Sequence, residues 1–312
     1  MPAQHPDQAL KDAIAIVQAS LHGSLPCPRI DSFFDEATFT VSHVVHDPAS
    51  SACALIDTVL DFDAASGRTS DSCATQLVTH VHAKDLQVQW LLETHAHADH
   101  LSAAPLLQER VGGRVAVGQH ITTIQEMFGK IFNAGTEFAR DGKQFDHLFQ
   151  DGERFQIGNL QGIALHVPGH TPACIAYVIG DAVFTGDTLF MPDYGTARCD
   201  FPGGDAATLY RSIRRLFELP DETRVFLCHD YKAPGRDAYV WETTIGVQRT
   251  ANVHMHEGVN EHDFVAMRQA RDAKLTMPKL MVPAVQINMR AGQMPAPESN
   301  GVRYLKLPLN VL

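Results

Sequence analysis

The chain has 312 residues, 45% of them hydrophobic, and its 36 acidic against 25 basic side chains give a formal net charge of −11. This composition is typical of a globular protein, and the length allows a large core and about two domains. The acidic balance offers no positive face to phosphate backbones or anionic lipids. Nucleic acids and membranes are therefore disfavoured as partners, and small molecules are expected.

The N-terminal segment predicts neither secretion nor membrane insertion. The first 21 residues carry Asp7, Lys11 and Asp12 within an apolar pattern and lack the basic start and cleavage site of a signal peptide. They predict an amphipathic helix. No apolar run reaches the roughly 20 residues that a membrane span needs. Because the six cysteines form no CxxC pair and suit a reducing compartment, we expect a full-length cytoplasmic protein.

Up to about residue 117 the pattern predicts strands that alternate with helices. Strands are predicted over 39–45, 52–60, 88–92 and 115–117, and helices over 74–86 and 101–110. Turn residues separate the first two strands, which are expected to pair. The later elements form a β-α-β pattern.

From about residue 150 onward, turn signals at short intervals predict hairpins. Strands are predicted over 163–167, 176–179, 182–184 and 225–227, with an amphipathic helix over 206–217. Asn260 can cap a helix running to about Leu275, and the segment 278–308 is predicted to be mostly loop with short strands. Two groups of strands, each with helices, predict two packed sheets with helices outside.

Four ligand-type side chains follow the strand predicted over 88–92: His95, His97, Asp99 and His100. Imidazole and carboxylate suit zinc, iron and similar ions. Residues two apart on an extended segment point to the same side, so His95 and His97 can face one site, while Asp99 and His100 can reach a neighbouring one. A polar loop would be the commoner explanation for a lone histidine, but not for this set.

Three further strand ends carry similar side chains. His170 lies in a Pro-Gly-His-Thr turn, Asp187 follows an apolar strand in Phe-Thr-Gly-Asp, and His229 ends the strand over 225–227. Each alone is as well explained by a turn or a buried polar contact. Together with the histidine cluster, they indicate a metal site built at several strand ends.

These four motifs, His-Ala-His-Ala-Asp-His, Pro-Gly-His-Thr, Phe-Thr-Gly-Asp and the strand-ending histidine, resemble those of the metallo-β-lactamase-fold superfamily over roughly residues 35–235. The resemblance implies an α/β fold, the αββα sandwich of two mixed β-sheets with outer helices. The metal would lie in a cleft at one edge of the sheets. We expect a catalytic domain over 1–240 with an N-terminal helical extension, and a C-terminal helix and loop extension over 241–312 that completes the fold and the substrate pocket.

The superfamily includes several chemistries, so the fold alone does not fix the reaction. The superfamily includes dinuclear hydrolases such as glyoxalase II, which usually bind two zinc ions. For a site of this kind, the resemblance implies that His95, His97 and His170 hold one ion. Asp99, His100 and His229 would hold the other, and Asp187 would bridge the two. Every one of these residues is present. Such ions activate a bound water for hydrolysis of a thioester or lactone.

Later segments resemble the persulfide dioxygenase (sulfur dioxygenase) branch instead. The likeness rests on residues 186–190, on Arg198, Asp200 and Phe201 within 195–204, on 229–231 and on 282–292. The chain departs from this branch in Cys199, which separates Arg198 from Asp200, and in a long region over 118–150.

This second resemblance implies one Fe(II) per chain, held by His95, His170 and Asp187. The enzyme would oxidise glutathione persulfide with O₂ to sulfite and glutathione at the open positions of the ion. The remaining ligand-type residues would orient the ligands or form an alternative second-metal site; they are His97, Asp99, His100 and His229. A dinuclear hydrolase of the glyoxalase II or lactonase type stays the alternative.

Candidate contacts for the two carboxylates of glutathione are Arg198, Lys232 and Arg290, with Tyr231 as a further hydrogen-bond donor. Arg198 could instead pair with Asp200 as an internal strut. Cys174 and Cys199 are expected to be small buried hydrophobes rather than catalytic thiols. We also expect a homo-oligomer, a dimer or tetramer. A nucleic-acid-processing member is disfavoured by the charge, and a closed structural metal site by the excess of ligands.

Overall fold

Two six-stranded sheets form the inner layers of the protein, in a computed structural model that describes residues 7–311. The strands are β1 (Arg29–Asp35), β2 (Thr40–His46), β3 (Ala52–Ile56), β4 (Val59–Asp63), β5 (Arg68–Ser70), β6 (Gln87–Leu92), β7 (Leu101–Ser102), β8 (Arg114–Gly118), β9 (His147–Phe149), β10 (Arg154–Ile157), β11 (Leu160–His166), β12 (Ile175–Ile179), β13 (Ala182–Phe184), β14 (Arg224–Phe226) and β15 (Glu242–Thr244). The helices are α1 (Gln8–Leu21), α2 (Ser72–Ala83), α3 (Ala104–Val111), α4 (Ile121–Ile131), α5 (Ala206–Leu216), α6 (Ile245–Ala251), α7 (Glu261–Asp272) and α8 (Met281–Asn288), with a 3₁₀ turn at Gly186–Thr188.

Both large sheets mix parallel and antiparallel pairs. The first has the order β1-β2-β3-β6-β8-β9 and is parallel from β3 onward. The second has the order β10-β11-β12-β13-β14-β15 and is antiparallel except between β13 and β14. A small third sheet, β5-β4-β7, lies beside them.

The core has a layer between the sheets and a layer on each outer face. Alternate residues of β3 divide between them: Ile56 packs with Tyr177 and Phe184 between the sheets, whereas Leu55 faces α2 and α3. This is the period of two that a strand buried on both faces shows. The helices α1, α5 and α7 cover the other sheet, for example through Leu209. The layers therefore follow the αββα order predicted from the sequence.

Most of the predicted elements are present, and their deviations have local causes. The predicted hairpin forms between β12 and β13 across Gly180-Asp181, and Asn260 caps α7 by accepting a hydrogen bond from the backbone of Asp263. The strand expected over 52–60 is two strands, because the chain turns at Asp57, whose φ is +51°. The helix expected from Leu101 begins only at Ala104, because Leu101 pairs with β4.

Three helices lie where none was predicted. They are α4, within the long region over 118–150, the short α6, and α8, within the segment expected to be mostly loop. Pro283 argued against a helix there, but it is the third residue of α8, where a backbone N–H has no partner within the helix. Residues 281–288 of that segment are therefore helical, whereas the rest of it is loop, as predicted, without the expected short strands.

The part of the chain after residue 240 shares the core of the part before it. Phe264 of α7 packs in the cluster of the second sheet, and Ala284 and Ile287 of α8 pack against Leu101. The division of the chain into two parts at residue 240 stays a prediction. What the sequence predicts for the first six residues and the last one also stays untested, because these residues lie outside the described range. Between residues 7 and 311, no helix is long and apolar enough to cross a membrane.

Candidate metal centre

Two imidazoles and a carboxylate from three separate strand ends converge at one edge of the sandwich. His95 follows β6, His170 lies in the turn between β11 and β12, and Asp187 lies in the 3₁₀ turn after β13. Their ligand atoms all lie within 4.8 Å of one another, and all three residues are buried. Asp187 Oδ2 is 3.9 Å from His95 Nε2 and 3.6 Å from His170 Nε2. We call these three residues the triad.

Each triad histidine is held so that its Nε2 lone pair faces the centre. His170 Nδ1 is 2.8 Å from the carbonyl oxygen of Arg198, which can only accept, so Nδ1 carries the proton. His95 Nδ1 is 3.0 Å from Thr94 Oγ1, whose own proton goes to Asp57. Burial, followed by the neighbouring His97 and His170, holds the pKa of His95 well below its ordinary value. Outer hydrogen bonds of this kind are typical of metal-binding histidines.

Glycines let two of these strand ends approach their neighbours. Gly169, which precedes His170, has a φ of +140°, and a Cβ there would lie 2.3 Å from the Cα of Leu209. Gly186 has a φ of +50°, and a Cβ there would lie 2.5 Å from Thr94 Oγ1. A side chain at either position would clash with these neighbours, so the backbone beside a triad ligand would have to move.

A second group of ligand-type atoms lies beside the triad: His97, Asp99, His100 and His229, again within 4.8 Å of one another. His229 Nε2 is 3.2 Å from Asp99 Oδ2 and 3.3 Å from Asp187 Oδ1. Asp187 therefore turns one carboxylate oxygen to each group. We call these four residues the second group.

Several ligand-type atoms at this edge are buried without a hydrogen-bond partner among the described residues; they are Nε2 of His95, His100 and His229, Nδ1 of His97, and Oδ1 of Asp187. Leaving so many polar atoms unpaired costs free energy unless something binds them. A metal ion satisfies lone pairs of this kind, so the donor set fits the metal that the sequence predicts.

Comparison with known proteins identifies the fold and the family. Residues 37–229 match the family model of the metallo-beta-lactamase superfamily. The chain belongs to this superfamily. It is 57% identical over 293 residues to a probable metallo-hydrolase of Burkholderia pseudomallei (strain 1710b), a match that covers 91% of this chain and 99% of that protein.

Further relatives of this superfamily member, at lower identity, carry the name ETHE1. The chain is 30% identical over 264 residues to the mitochondrial persulfide dioxygenase ETHE1 of Bos taurus, covering 83% of this chain and 87% of that protein. The crystal structure of ETHE1 from Myxococcus xanthus aligns with a TM-score of 0.68 at 30% identity and covers 85% of this chain and all of that one. The predicted superfamily and the predicted fold are confirmed.

One member of the histidine cluster differs from what simple alternation predicts. Alternation allowed His97 to face the same site as His95, but its ligand atom groups with Asp99, His100 and His229 rather than with the triad. Its Nε2 lies 3.0 Å from Asp57 Oδ1 and 3.3 Å from Glu93 Oε2. Burial lowers the pKa of His97, but these two carboxylates outweigh it and raise that pKa well above its ordinary value. His97 thus contacts carboxylates through Nε2, while its Nδ1 has no hydrogen-bond partner among the described residues.

A cleft of about 560 Å³ opens onto the centre. His170, Asp187 and Asp99 line its inner end, and aromatic side chains form much of its wall, namely Phe39, Phe62, Phe190, Tyr194, Phe201 and Tyr231. The ring of Tyr231 stacks on His229 at 5.5 Å. Burial, followed by Asp99 and Asp187, raises the pKa of Tyr231 well above its ordinary value, so its phenol stays a hydrogen-bond donor.

Two of the four predicted substrate contacts lie in the cleft and two do not. Tyr231 and Arg198 line the cleft. Arg198 is nevertheless engaged as a strut, with two hydrogen bonds of 2.6 Å to Asp200. It also donates to the carbonyl of Thr276 and lies over the ring of Phe201. Its bidentate capacity is therefore used within the protein.

Two of the predicted cations are absent from the cleft lining. Lys232 turns its ammonium over the ring of Tyr239 at 4.0 Å. Arg290 lies over the ring of Phe138 and donates to the carbonyl of Gln286. Sequence position alone could not show this, because both side chains are placed by packing against aromatic rings. We therefore replace them as candidate substrate contacts.

Two other cations line the cleft in their place. Arg271, near the end of α7, and Lys279, just before α8, are exposed there, and neither has an ion-pair partner between residues 7 and 311. Arg268 also lines the cleft, but it is buried and paired with Asp272 at 2.7 Å. The two unpaired cations were missed because nothing in the local sequence distinguishes them from other exposed cations.

Sequence reasoning also missed the carboxylates behind the histidines. Asp57 ends β3 and turns the chain there, so the same rule that singled out other strand ends would have found it. Glu93 adjoins the cluster and accepts a hydrogen bond of 2.5 Å from Ser102.

The two thiols predicted to be inert, Cys174 and Cys199, are buried, and burial raises the pKa of Cys174 to about 12.

Proposed function

We propose that the protein is a persulfide dioxygenase that oxidises glutathione persulfide with O₂ to sulfite and glutathione, using one Fe(II) held by His95, His170 and Asp187. One observation carries the proposal. The triad forms a three-donor group of two imidazoles and one carboxylate, while His97, the donor that a three-histidine site would add, groups elsewhere and contacts two carboxylates. Two histidines and one carboxylate are the donors typical of non-heme Fe(II) oxygenases.

The proposed reaction balances without another oxidant. Glutathione persulfide, O₂ and water give glutathione, sulfite and two protons. The outer sulfur loses four electrons, O₂ gains them, and water supplies the third oxygen of sulfite. A ferrous ion, when bound, supplies the redox chemistry with O₂ and has positions open to substrate.

The residues around the centre would hold the substrate and orient the ligands. The aromatic wall excludes water from the inner end of the cleft, and the Tyr231 hydroxyl can donate a hydrogen bond to an anionic persulfide sulfur. Arg271 and Lys279 can bind the carboxylates of glutathione at the outer end. The carbonyl of Arg198 fixes the ring of His170, which gives Arg198 a positioning role rather than direct contact.

Similarity supports the proposal only in part. The relative named persulfide dioxygenase is 30% identical, whereas the relative named probable metallo-hydrolase is 57% identical. A dinuclear hydrolase of the glyoxalase II or lactonase type is therefore the second candidate. The observation that favours it is the complete second group, to which Asp187 turns its Oδ1 atom. Homo-oligomeric assembly and a cytoplasmic location stay predictions.

Oxygen consumption distinguishes the two candidates. We would purify the protein without O₂, supply glutathione persulfide in an oxygen electrode and measure sulfite in parallel. The expected result is uptake of one O₂ for each sulfite, with no hydrolysis of an acyl-glutathione thioester. Thioester cleavage that continues without O₂, together with no uptake on persulfide, would instead establish the hydrolase.

A further inference from the structure

The loop that carries the histidine cluster has few backbone partners of its own. Residues 93–100 join β6 to β7 and form neither helix nor strand. They are nevertheless buried almost throughout. Buried backbone groups need hydrogen bonds, and those of an irregular loop must come from elsewhere in the protein. What supplies them decides how firmly the ligands are held.

Asn288, the last residue of α8, supplies three of these hydrogen bonds. Its Nδ2 donates to the carbonyl oxygens of His97 and His100, both at 2.8 Å. Its Oδ1 accepts from the backbone N–H of Ser102 at 2.9 Å. The side chain is buried, and its single amide spans the backbone from residue 97 to residue 102. Asp99 lies inside this span.

Asn288 is itself fixed by its surroundings. Gln125 of α4, fully buried, donates to the carbonyl oxygen of the next residue, Met289, at 3.0 Å. Beyond it, Gly292 has a φ of +81°, and a Cβ there would lie 2.9 Å from the carbonyl oxygen of Ser102. The chain after α8 therefore lies directly against the ligand loop, and the long region over 118–150 holds it in place.

We propose that Asn288 is a positioning residue of the metal centre, through which the C-terminal helix α8 holds the ligand loop and slows the loss of bound metal. The inference rests on the proposed metal centre and is independent of the persulfide chemistry. Loosening the loop lets the ligand atoms sample a wider range of positions, which weakens metal binding without removing a ligand.

Gln286 provides a matched control on the same helix. It is as deeply buried as Asn288 and also makes three side-chain hydrogen bonds. Two of them hold the backbone of Lys306, and the third goes to Val282 within α8. Loss of this amide should therefore destabilise the C-terminal segment without reaching the ligand loop.

The test measures how fast Zn²⁺ leaves the loaded protein when a chromophoric chelator is in excess, alongside the melting temperature of each variant. Zn²⁺ is the probe because it binds histidine and carboxylate donors whichever metal the enzyme uses in turnover. We expect Asn288→Ser to release Zn²⁺ at least roughly tenfold faster than the unchanged protein, as loss of a group behind a ligand does. Gln286→Ser should lower the melting temperature but leave the release rate unchanged.

Asn288→Asp keeps the side-chain shape and the acceptor for Ser102 but lacks both donors. It should release Zn²⁺ as fast as Asn288→Ser, and it takes the place of that variant if the serine protein does not fold. Unchanged release in the Asn288 variants would overturn the proposal, and so would equal acceleration in Gln286→Ser. A failure of the dioxygenase proposal would appear in oxygen uptake and leave these rates as they are.

Discussion

The triad and the second group contain the same kinds of side chain but differ in how closely carboxylates approach the imidazoles. Histidines of both groups bond through Nδ1 to a carbonyl or a hydroxyl, as His170 does to Arg198 and His229 does to Phe39. The Nε2 atoms of the triad lie 3.6 and 3.9 Å from Asp187. In the second group, carboxylates approach the imidazoles more closely, as Asp99 approaches His229 at 3.2 Å. The difference teaches that a motif supplies the list of donors, whereas the carboxylates around it decide which donors are available to a metal.

Removing a triad ligand is expected to have the largest effect and tests whether the triad, rather than the second group, binds the metal. Asp187→Asn should abolish metal retention and lower persulfide oxidation by more than about a hundredfold, because loss of a group behind a ligand alone costs roughly 10–100-fold. Metal content by elemental analysis and oxygen uptake measure the two effects. Substantial activity in the variant, with iron still bound, would mean that Asp187 is not a ligand.

Changes in the second group should have much smaller effects if the two groups differ as proposed. Asp99→Asn and His229→Gln should keep one iron per chain and lose roughly tenfold in turnover, the lower end of the 10–100-fold cost of losing a group that orients a ligand. Metal content and kcat would be measured together. Losses as large as those of Asp187→Asn would make the two groups equivalent and favour the dinuclear hydrolase.

The cleft cations sharpen the comparison by separating substrate binding from metal binding. Arg271→Ala should raise KM for glutathione persulfide by roughly threefold to tenfold, as expected for a partly exposed hydrogen bond to a charged group, and leave kcat and metal content unchanged. Lys274→Ala is the control, since Lys274 is exposed but does not line the cleft. Equal KM values for both variants would remove Arg271 from the substrate site.

His254, a histidine outside both groups, shows how burial beside cations changes the pKa of an imidazole. Burial, followed by Arg268 and Arg271, lowers the pKa of His254 to about 4, and its Nδ1 accepts a hydrogen bond from the backbone of Thr196. In the unfolded chain the pKa is about 6.5, so the unfolded state takes up the proton first as the pH falls. Protein stability should therefore decrease between pH 7 and 5, by up to about 2 kcal/mol from this residue.

A variant separates the contribution of His254 to the pH dependence of stability from that of other titrating groups. His254→Gln should show a smaller decrease in the free energy of unfolding between pH 7 and pH 5, measured by urea denaturation, because glutamine does not titrate. Other titrating groups are common to both proteins and cancel in the difference. An identical pH dependence in the two proteins would show that His254 does not carry a lowered pKa.

The strand ends of the site could be predicted because their signals are local. Apolar runs that stop at His95, His170, Asp187 and His229 show where each strand ends, and turn residues such as Gly186 fix the next step. Strands of a sandwich end at shared edges, so these side chains were expected to meet. Their actual grouping depends on Asp57 and Glu93, whose approach to His97 is a matter of tertiary packing.

The C-terminal part was predicted poorly because its signals are not local. Pro283 and Gly292 favoured a loop, yet α8 forms because its inner face packs on Leu101 and its last residue bonds to the ligand loop. Arg290 and Lys232 could not be placed either, since aromatic neighbours distant in sequence decide where long cations lie. Tertiary contacts outweigh local propensity in this region.

The central claim is tested most directly by the number and identity of the bound metal ions. The protein would be purified without O₂ and without added metal. If the triad alone binds the ion, elemental analysis will find one iron per chain, and Asp99→Asn will contain the same amount. Two ions per chain, zinc or otherwise, with the second lost in Asp99→Asn, would contradict the account.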